Sequence, residues 1–440
     1  MSHTQPGTRH RGAIVTGALA LVGTLLLAGC SAAGPSNGTP QDAKGKVVVW
    51  VDGTRQPEAA AYAKANPTAN LDIVTVDSSQ LESKISLLAR DPGSLPDVVF
   101  TPNGQGVDFA SKYGYSQDLS TLVSSKVKDG YGALLGSCKG PDGALDCLPF
   151  DISTQMLFYN KTLFDKFGYT VPTTWDQYAA LGAQVAKDHP GYVIGSCGDN
   201  FCPNVFYHAS GCQGIDLQKG TLNASVVLAT DPKCTRVTSM LDPLIADKSM
   251  ATLSPFDPDM ATLGTADKIL MMPGFVWYGS LLFQQTFKNA NGTIAVAPLP
   301  AWSDGVRGVG ASLGGQWVVG SKSAHQAAAV KLIVAMSTDP KYLASQVTFP
   351  AYQPAAAGWI KQAAASGFYA EDPTKTFEVA RSDIHTSLEA PAGFDILGPF
   401  GNAVAPKLKA GSTLDSEIDP WADAVKQSLS DSGYNPTIKK

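Results

Sequence analysis

The sequence predicts an α/β protein that opens with a parallel sheet. Three β-branched runs, residues 46–52 (KVVVWVD), 71–76 (LDIVTV) and 97–100 (DVVF), are separated by two helical stretches, an Ala-rich one at 57–65 and an amphipathic one at 80–89. Strands that alternate with helices in this way pair parallel, because each helix carries the chain back across the sheet. Ligands of such sheets collect beyond the carboxyl ends of the strands. That puts Asp52-Gly53-Thr54-Arg55 and Thr101-Pro102-Asn103-Gly104-Gln105 on one polar, glycine-containing rim.

The stretch 147–175 (CLPFDISTQMLFYNKTLFDKFGYTVPTTW) follows a different pattern. An apolar turn at Leu148-Pro149-Phe150 leads to Asp151 and Ser153, and residues 156–159 (MLFY) then read as a buried strand. Asn160 opens a short helix over Leu163, Phe164 and Phe167. Thr174 and Gln177 have the spacing of a capping box at the start of a helix near 176–187. Beyond a cysteine-rich segment at 195–214 and helices near 233–247, residues 269–272 (ILMM) read as a strand ending in a Pro273-Gly274 turn, followed by Phe275 to Tyr278 and a helix through Phe287. Strands are expected at 293–298 and within 312–319, a helix at 324–336, and mostly helices with loops over 342–429.

The first thirty residues predict export. Arg9 and Arg11 form a basic start, residues 13–27 an apolar core, and Leu27-Ala28-Gly29-Cys30 a lipobox; the core is too short to span a bilayer. Residues 1–29 are therefore expected to be a lipoprotein signal peptide and 30–45 a lipidated Cys30 with a flexible tether, holding the protein at the outer surface of a bacterial cell membrane. Removing Arg9 and Arg11 takes the formal charge from −5 to −7, and the remaining cations are scattered, which disfavours nucleic acid as a partner. The other six cysteines, Cys138, Cys147, Cys197, Cys202, Cys212 and Cys234, form an even set, and outside the cytoplasm that argues for disulfides. Fifteen pairings are possible. Closure between nearest neighbours is the simplest, and a zinc site is the competing reading.

The order of a proline-containing turn, YNK-x-LF and P-x-TW within 147–175 resembles the family 1 extracellular solute-binding proteins, the sugar-binding lipoproteins and periplasmic proteins of ABC importers. KVVVWVDG, PDVVFTPN, KILMMPGFVWYG and LGGQWVVGSKSAHQAAAVKLIVAMST extend the resemblance over most of the chain after the tether. It implies a two-lobed periplasmic-binding-protein fold, maltose-binding-protein-like, with lobes joined by a multi-crossover hinge and a ligand cleft between them. One lobe would take 46–149 and 294–319, the other 150–293 and 320–440, with Pro149-Phe150 in the hinge. The implied function is capture of a carbohydrate or related polar solute for an ABC permease by a monomer, without catalysis, cofactor or metal.

Sugars are held by aromatic faces and by amides and carboxylates. Trp277, Tyr278, Trp317 after Gly314-Gly315, and Tyr352 in a Pro-flanked loop are the aromatic candidates; Gly315 and Gln316 accompany Trp317. Trp175, at a helix start, reads as structural, and Trp50 is open to either role. The resemblance implies polar contacts from Asp52, Arg55, Asn103, Gln105, Asp151, Ser153, Asn204 and His208. Ser153 stands where several oligosaccharide binders carry glutamate, and Arg55 is suited to an acidic or phosphorylated group, so that a non-sugar ligand such as a glycerophosphodiester or peptide is the alternative. Residues 310–314 (GASLG) match the hydrolase elbow without its strand and helix context, and Asp151, Asp257 and Asp259 are the carboxylates a glycoside hydrolase would draw on.

Overall fold

The computed structural model describes residues 44–440 apart from 90, 103–105, 141, 219–220, 308–311, 344–345 and 383–395. The expected signal peptide and Cys30 lie outside the described residues. As the alternation of strand and helix predicts, β1 (Val47–Val51) pairs in parallel with both β2 (Leu71–Thr75) and β3 (Val98–Thr101), through α1 (Gln56–Ala65) and α2 (Leu81–Leu88). Val47, Val49 and Val51 are buried while Val48 and Trp50 are half-buried, the alternation of a strand with one face on the core.

The chain then supplies β4 (Leu148–Pro149), β5 (Asp151–Ser153) and β6 (Gln155–Asn160), and later β7 (Met271–Phe275), β8 (Ile294–Ala297), β9 (Ser312–Leu313), β10 (Gln316–Val319) and β11 (Phe349–Pro350). They form three sheets. The first lobe has the order β2-β1-β3-β10-β4, the second is built on β7-β6-β8, and β9-β5-β11 is a small sheet where the chain crosses from one to the other. Pro149 and Pro273 both lie inside strands where the sequence suggests turns. Both strands are sheet edges, where a missing N–H does not break a ladder.

Local signals form as read. Asn160 accepts from the Leu163 N–H and caps α3 (Lys161–Phe167), and Thr174 and Gln177 make the reciprocal capping box of α4 (Trp175–Asp188). Trp175 is buried against Tyr178, Phe206 and Trp302, the structural role expected of it. Two packing relations bear on the expected division of the chain between lobes. Ile294–Ala297 pairs with β6 in the second sheet, and α5 (Gln326–Thr338) packs on β4, β10 and α1 of the first lobe. The sequence gives these apolar segments no mark of which sheet they join. A further sheet, formed by Ile215–Leu217, Asn223–Val226 and Asn435–Ile438, is absent from the sequence reading, because such short runs of Asn, Ser and Pro carry little strand signal.

The six cysteines pair as Cys138–Cys147, Cys197–Cys202 and Cys212–Cys234, the nearest-neighbour closure, which overturns the zinc reading. Asp146 adjoins the first of them, with its N–H bonded to the Cys138 carbonyl. Burial first, then the charges of Asp142 and Asp118, push its carboxyl from 3.8 up to about 6. The folded chain therefore holds a proton that the unfolded chain has lost, so stability falls as pH rises from 3.8 to about 6 and stays lower above. Asp146→Asn is expected to stabilise the protein by about 1–2 kcal/mol at pH 7, a gain that vanishes below about pH 4. Melting temperatures of both proteins at the two pH values check this.

Candidate functional site

Thr101 at the end of β3 registers with Gln316, and Gln316 with Pro149, so the carboxyl end of the first sheet lies at the crossings. Asn103 and Gln105 are outside the described residues. Asp52 follows β1, and its Oδ1 accepts from the Arg55 N–H at 2.8 Å. This is a turn that starts α1 rather than an open contact.

Arg55 points inward, where its Nη2 donates to Asp151 Oδ2 at 2.8 Å, with the two side chains only 8% and 2% exposed. Its guanidinium carbon stands 4.9 Å from the ring centres of both Phe100 and Phe150. Asp151 is equally committed: Oδ2 also accepts from Thr348 Oγ1, and Oδ1 accepts from the Gly315 N–H at 2.5 Å. Four residues expected at a ligand, Asp52, Arg55, Asp151 and Gly315, are thus brought together, but they bond to protein. Arg55 is ion-paired with Asp151 in the interior. Asp257, which a hydrolase would need, caps Pro258–Thr265 and pairs with Lys409.

Trp317 corrects the sequence reading most clearly. It is completely buried in β10, edge-on to Phe100 and Phe150, and walls no cleft. The glycines before it mark close packing, since a Cβ on Gly314 would collide with Asp151 and one on Gly315 with the Phe100 ring. Gln316 is buried too, its Oε1 accepting from the Gly106 N–H at 2.6 Å at the start of Gly106–Tyr113. Tyr278 is buried between Phe158, Phe275 and Trp277, and burial raises its hydroxyl well above the ordinary range. Half-buried Tyr352 packs edge-on to Tyr131 and over Gly130, next to the start of Gln353–Ala364.

On the second lobe, Phe275 closes β7 opposite Gln155, the first residue of β6 after the crossing strand. Trp277 follows, half-buried, with Phe275 and Phe256 lying nearly parallel to its indole at 5.5 and 5.9 Å. Phe201 meets all three rings at 5.4–6.2 Å from a loop closed by Cys197–Cys202. In that loop Asp199 accepts from the Phe201 N–H and from Ser254 Oγ; burial nevertheless raises its carboxyl. Phe256 remains 51% exposed, an unusual exposure for a ring so well partnered. Of these rings Trp277 is the one singled out from the sequence; Phe201, Phe256 and Phe275 share no spacing that marks them as a group.

Asn204, also buried, accepts from Gln155 Nε2 through its side-chain oxygen at 2.8 Å and its backbone oxygen at 2.9 Å. The contact ties Pro203–Tyr207 to the start of β6. His208 follows, half-buried, and Ser153 is buried at the end of β5. Among the described residues no group of three or more His, Cys, Asp or Glu is arranged to hold a metal ion.

A sequence search finds no match among curated proteins. Solved structures with a similar fold include the GacH receptor of Streptomyces glaucescens, determined unliganded and with acarbose, at 22% identity over 90% of this chain and 100% of that one, TM-score 0.69. They also include the galacto-N-biose/lacto-N-biose I-binding protein of an ABC transporter from Bifidobacterium longum, at 17% identity over 89% and 99%, TM-score 0.71. A third is the ABC transporter associated binding protein of B. animalis subsp. lactis in complex with beta-1,6-galactobiose, at 20% identity over 90% and 99%, TM-score 0.69. At these identities the likeness establishes the two-lobed fold. Residues 51–343, more than half of the chain, match one family model, and the chain belongs to the bacterial extracellular solute-binding proteins.

Proposed function

We propose that this protein captures a neutral carbohydrate outside the cytoplasm and hands it to an ABC importer. The observation that carries the reading is the half-exposed Phe256 ring, backed by Trp277, Phe275 and Phe201, on the second lobe where β7 meets the crossing strand. A phenyl face presented to water suits the C–H face of a sugar ring, and Asn204, His208, Ser153 and the rim residues Asn103 and Gln105 are the polar groups assigned to its hydroxyls. The internal pairing of Arg55 with Asp151 supports an uncharged ligand over a phosphodiester. The carbohydrate complexes of the similar structures agree with this class.

In this reading the lobes are 46–149 with 316–343, and 155–297 with the C-terminal helices. Lipid on Cys30 anchors the chain to the membrane, and the protein acts as a monomer without turnover. The test is calorimetric titration of the mature chain with maltotriose, lacto-N-biose and β-1,6-galactobiose, alongside glycerophosphocholine. Stoichiometric binding of a saccharide, weakened about tenfold by Phe256→Ala, or about 1.4 kcal/mol, is expected. Binding of the phosphodiester alone, or hydrolysis of the saccharide, would overturn the reading.

A further inference from the structure

We propose that the Asp151 carboxylate is a latch that selects the relative arrangement of the two lobes. The chain passes between the lobes at three places, and one buried group bonds to all of them. Asp151 itself opens β5 in the first crossing; Gly315, between β9 and β10, belongs to the second; Thr348, just before β11, belongs to the third. The third partner of the carboxylate, Arg55, is fixed to the first lobe at the start of α1.

Backbone bonds follow the same convergence. The Phe150 N–H donates to the Gly315 carbonyl, and the Ala351 N–H donates to the Phe150 carbonyl, each at 3.0 Å. Phe349 and Pro350 register with Ile152 and Asp151 on one side of β5, and Ser312 and Leu313 with Ser153 and Ile152 on the other. Gly314 packs so closely on Asp151 that it leaves no room for a side chain.

A rotation of one lobe against the other changes backbone torsions in these same segments. Any such change that draws Asp151 from Arg55 separates opposite charges in a site where neither reaches water, a steep cost that favours discrete arrangements over a continuous swing. Arg55 is held in place by Phe100 and Phe150, so it does not follow freely. The latch thereby turns an otherwise soft three-strand joint into a bistable one. None of this depends on which solute the protein binds.

The test uses the ligand-free mature chain and two variants. Asp151→Asn keeps the shape but removes the charge that Arg55 requires, and Thr348→Val removes one donor while leaving the ion pair in place. Hydrogen exchange and small-angle scattering are measured on each. With a latch, exchange at the N–H groups of Phe150, Gly315 and Ala351 accelerates at least tenfold more than in β1 and β6, and the radius of gyration of Asp151→Asn departs from wild type. If Asp151→Asn does not fold, the exchange pattern of Thr348→Val decides. Exchange that rises evenly through the chain, or not at all, with an unchanged radius of gyration would overturn the proposal and leave Asp151 a purely stabilising residue.

Discussion

Trp317→Ala is expected to destabilise the protein by about 3–5 kcal/mol, the range for emptying a large buried aromatic site. Trp317 has no exposed surface, and its ring is locked edge-on between Phe100 and Phe150 in the sheet that frames the crossings. Neighbouring groups cannot collapse into the space easily, because Gly315 already lies against Phe100. Urea unfolding measures the loss. The contrast with Phe256→Ala is the informative part: the exposed ring costs little stability and much affinity, whereas Trp317 costs stability, and any affinity change follows from a smaller folded fraction. Had Trp317 walled the ligand, as its Gly-Gly-flanked position in the sequence suggests, the two variants would rank the other way.

Arg55→Ala is expected to cost about as much, roughly 3–5 kcal/mol, since removal of one member of a buried pair strands the other charge. Asp151 would retain Thr348 and the Gly315 N–H but lose the Arg55 cation, and Phe100 and Phe150 would lose the group between them. The mechanism makes a second expectation for the same unfolding measurement. Arg55→Met combined with Asp151→Leu should be less destabilised than Arg55→Ala, because neither charge is then left buried without a partner.

Legibility in the sequence followed the range of the interaction. The caps at Asn160 and Thr174 were readable because donor and acceptor sit three residues apart. The short disulfide loops and the β-α-β-α-β start were readable for the same reason. Arg55 and Asp151 lie 96 residues apart, and nothing local announces that each is the other's partner. Polar residues beside glycines at a sheet rim look alike in sequence whether they meet a ligand or each other, and here Arg55 and Gly315 both bond to Asp151. Gly314 and Gly315 read in sequence as glycines presenting Trp317, whereas in the structure a side chain at either would collide with Asp151 or Phe100. Nothing local marks Phe256, because its ring partners, Phe201 and Trp277, come from two other segments of the chain.

The central claim is that two lobes close over a carbohydrate held at the aromatic surface of the second. Small-angle scattering from the mature chain, with and without a saturating amount of the saccharide that titrates in the calorimeter, tests it most directly. Closure predicts a smaller radius of gyration with saccharide, reached in Phe256→Ala only at about tenfold higher concentration. A radius of gyration unmoved by a saccharide that demonstrably saturates the wild-type protein would contradict the account.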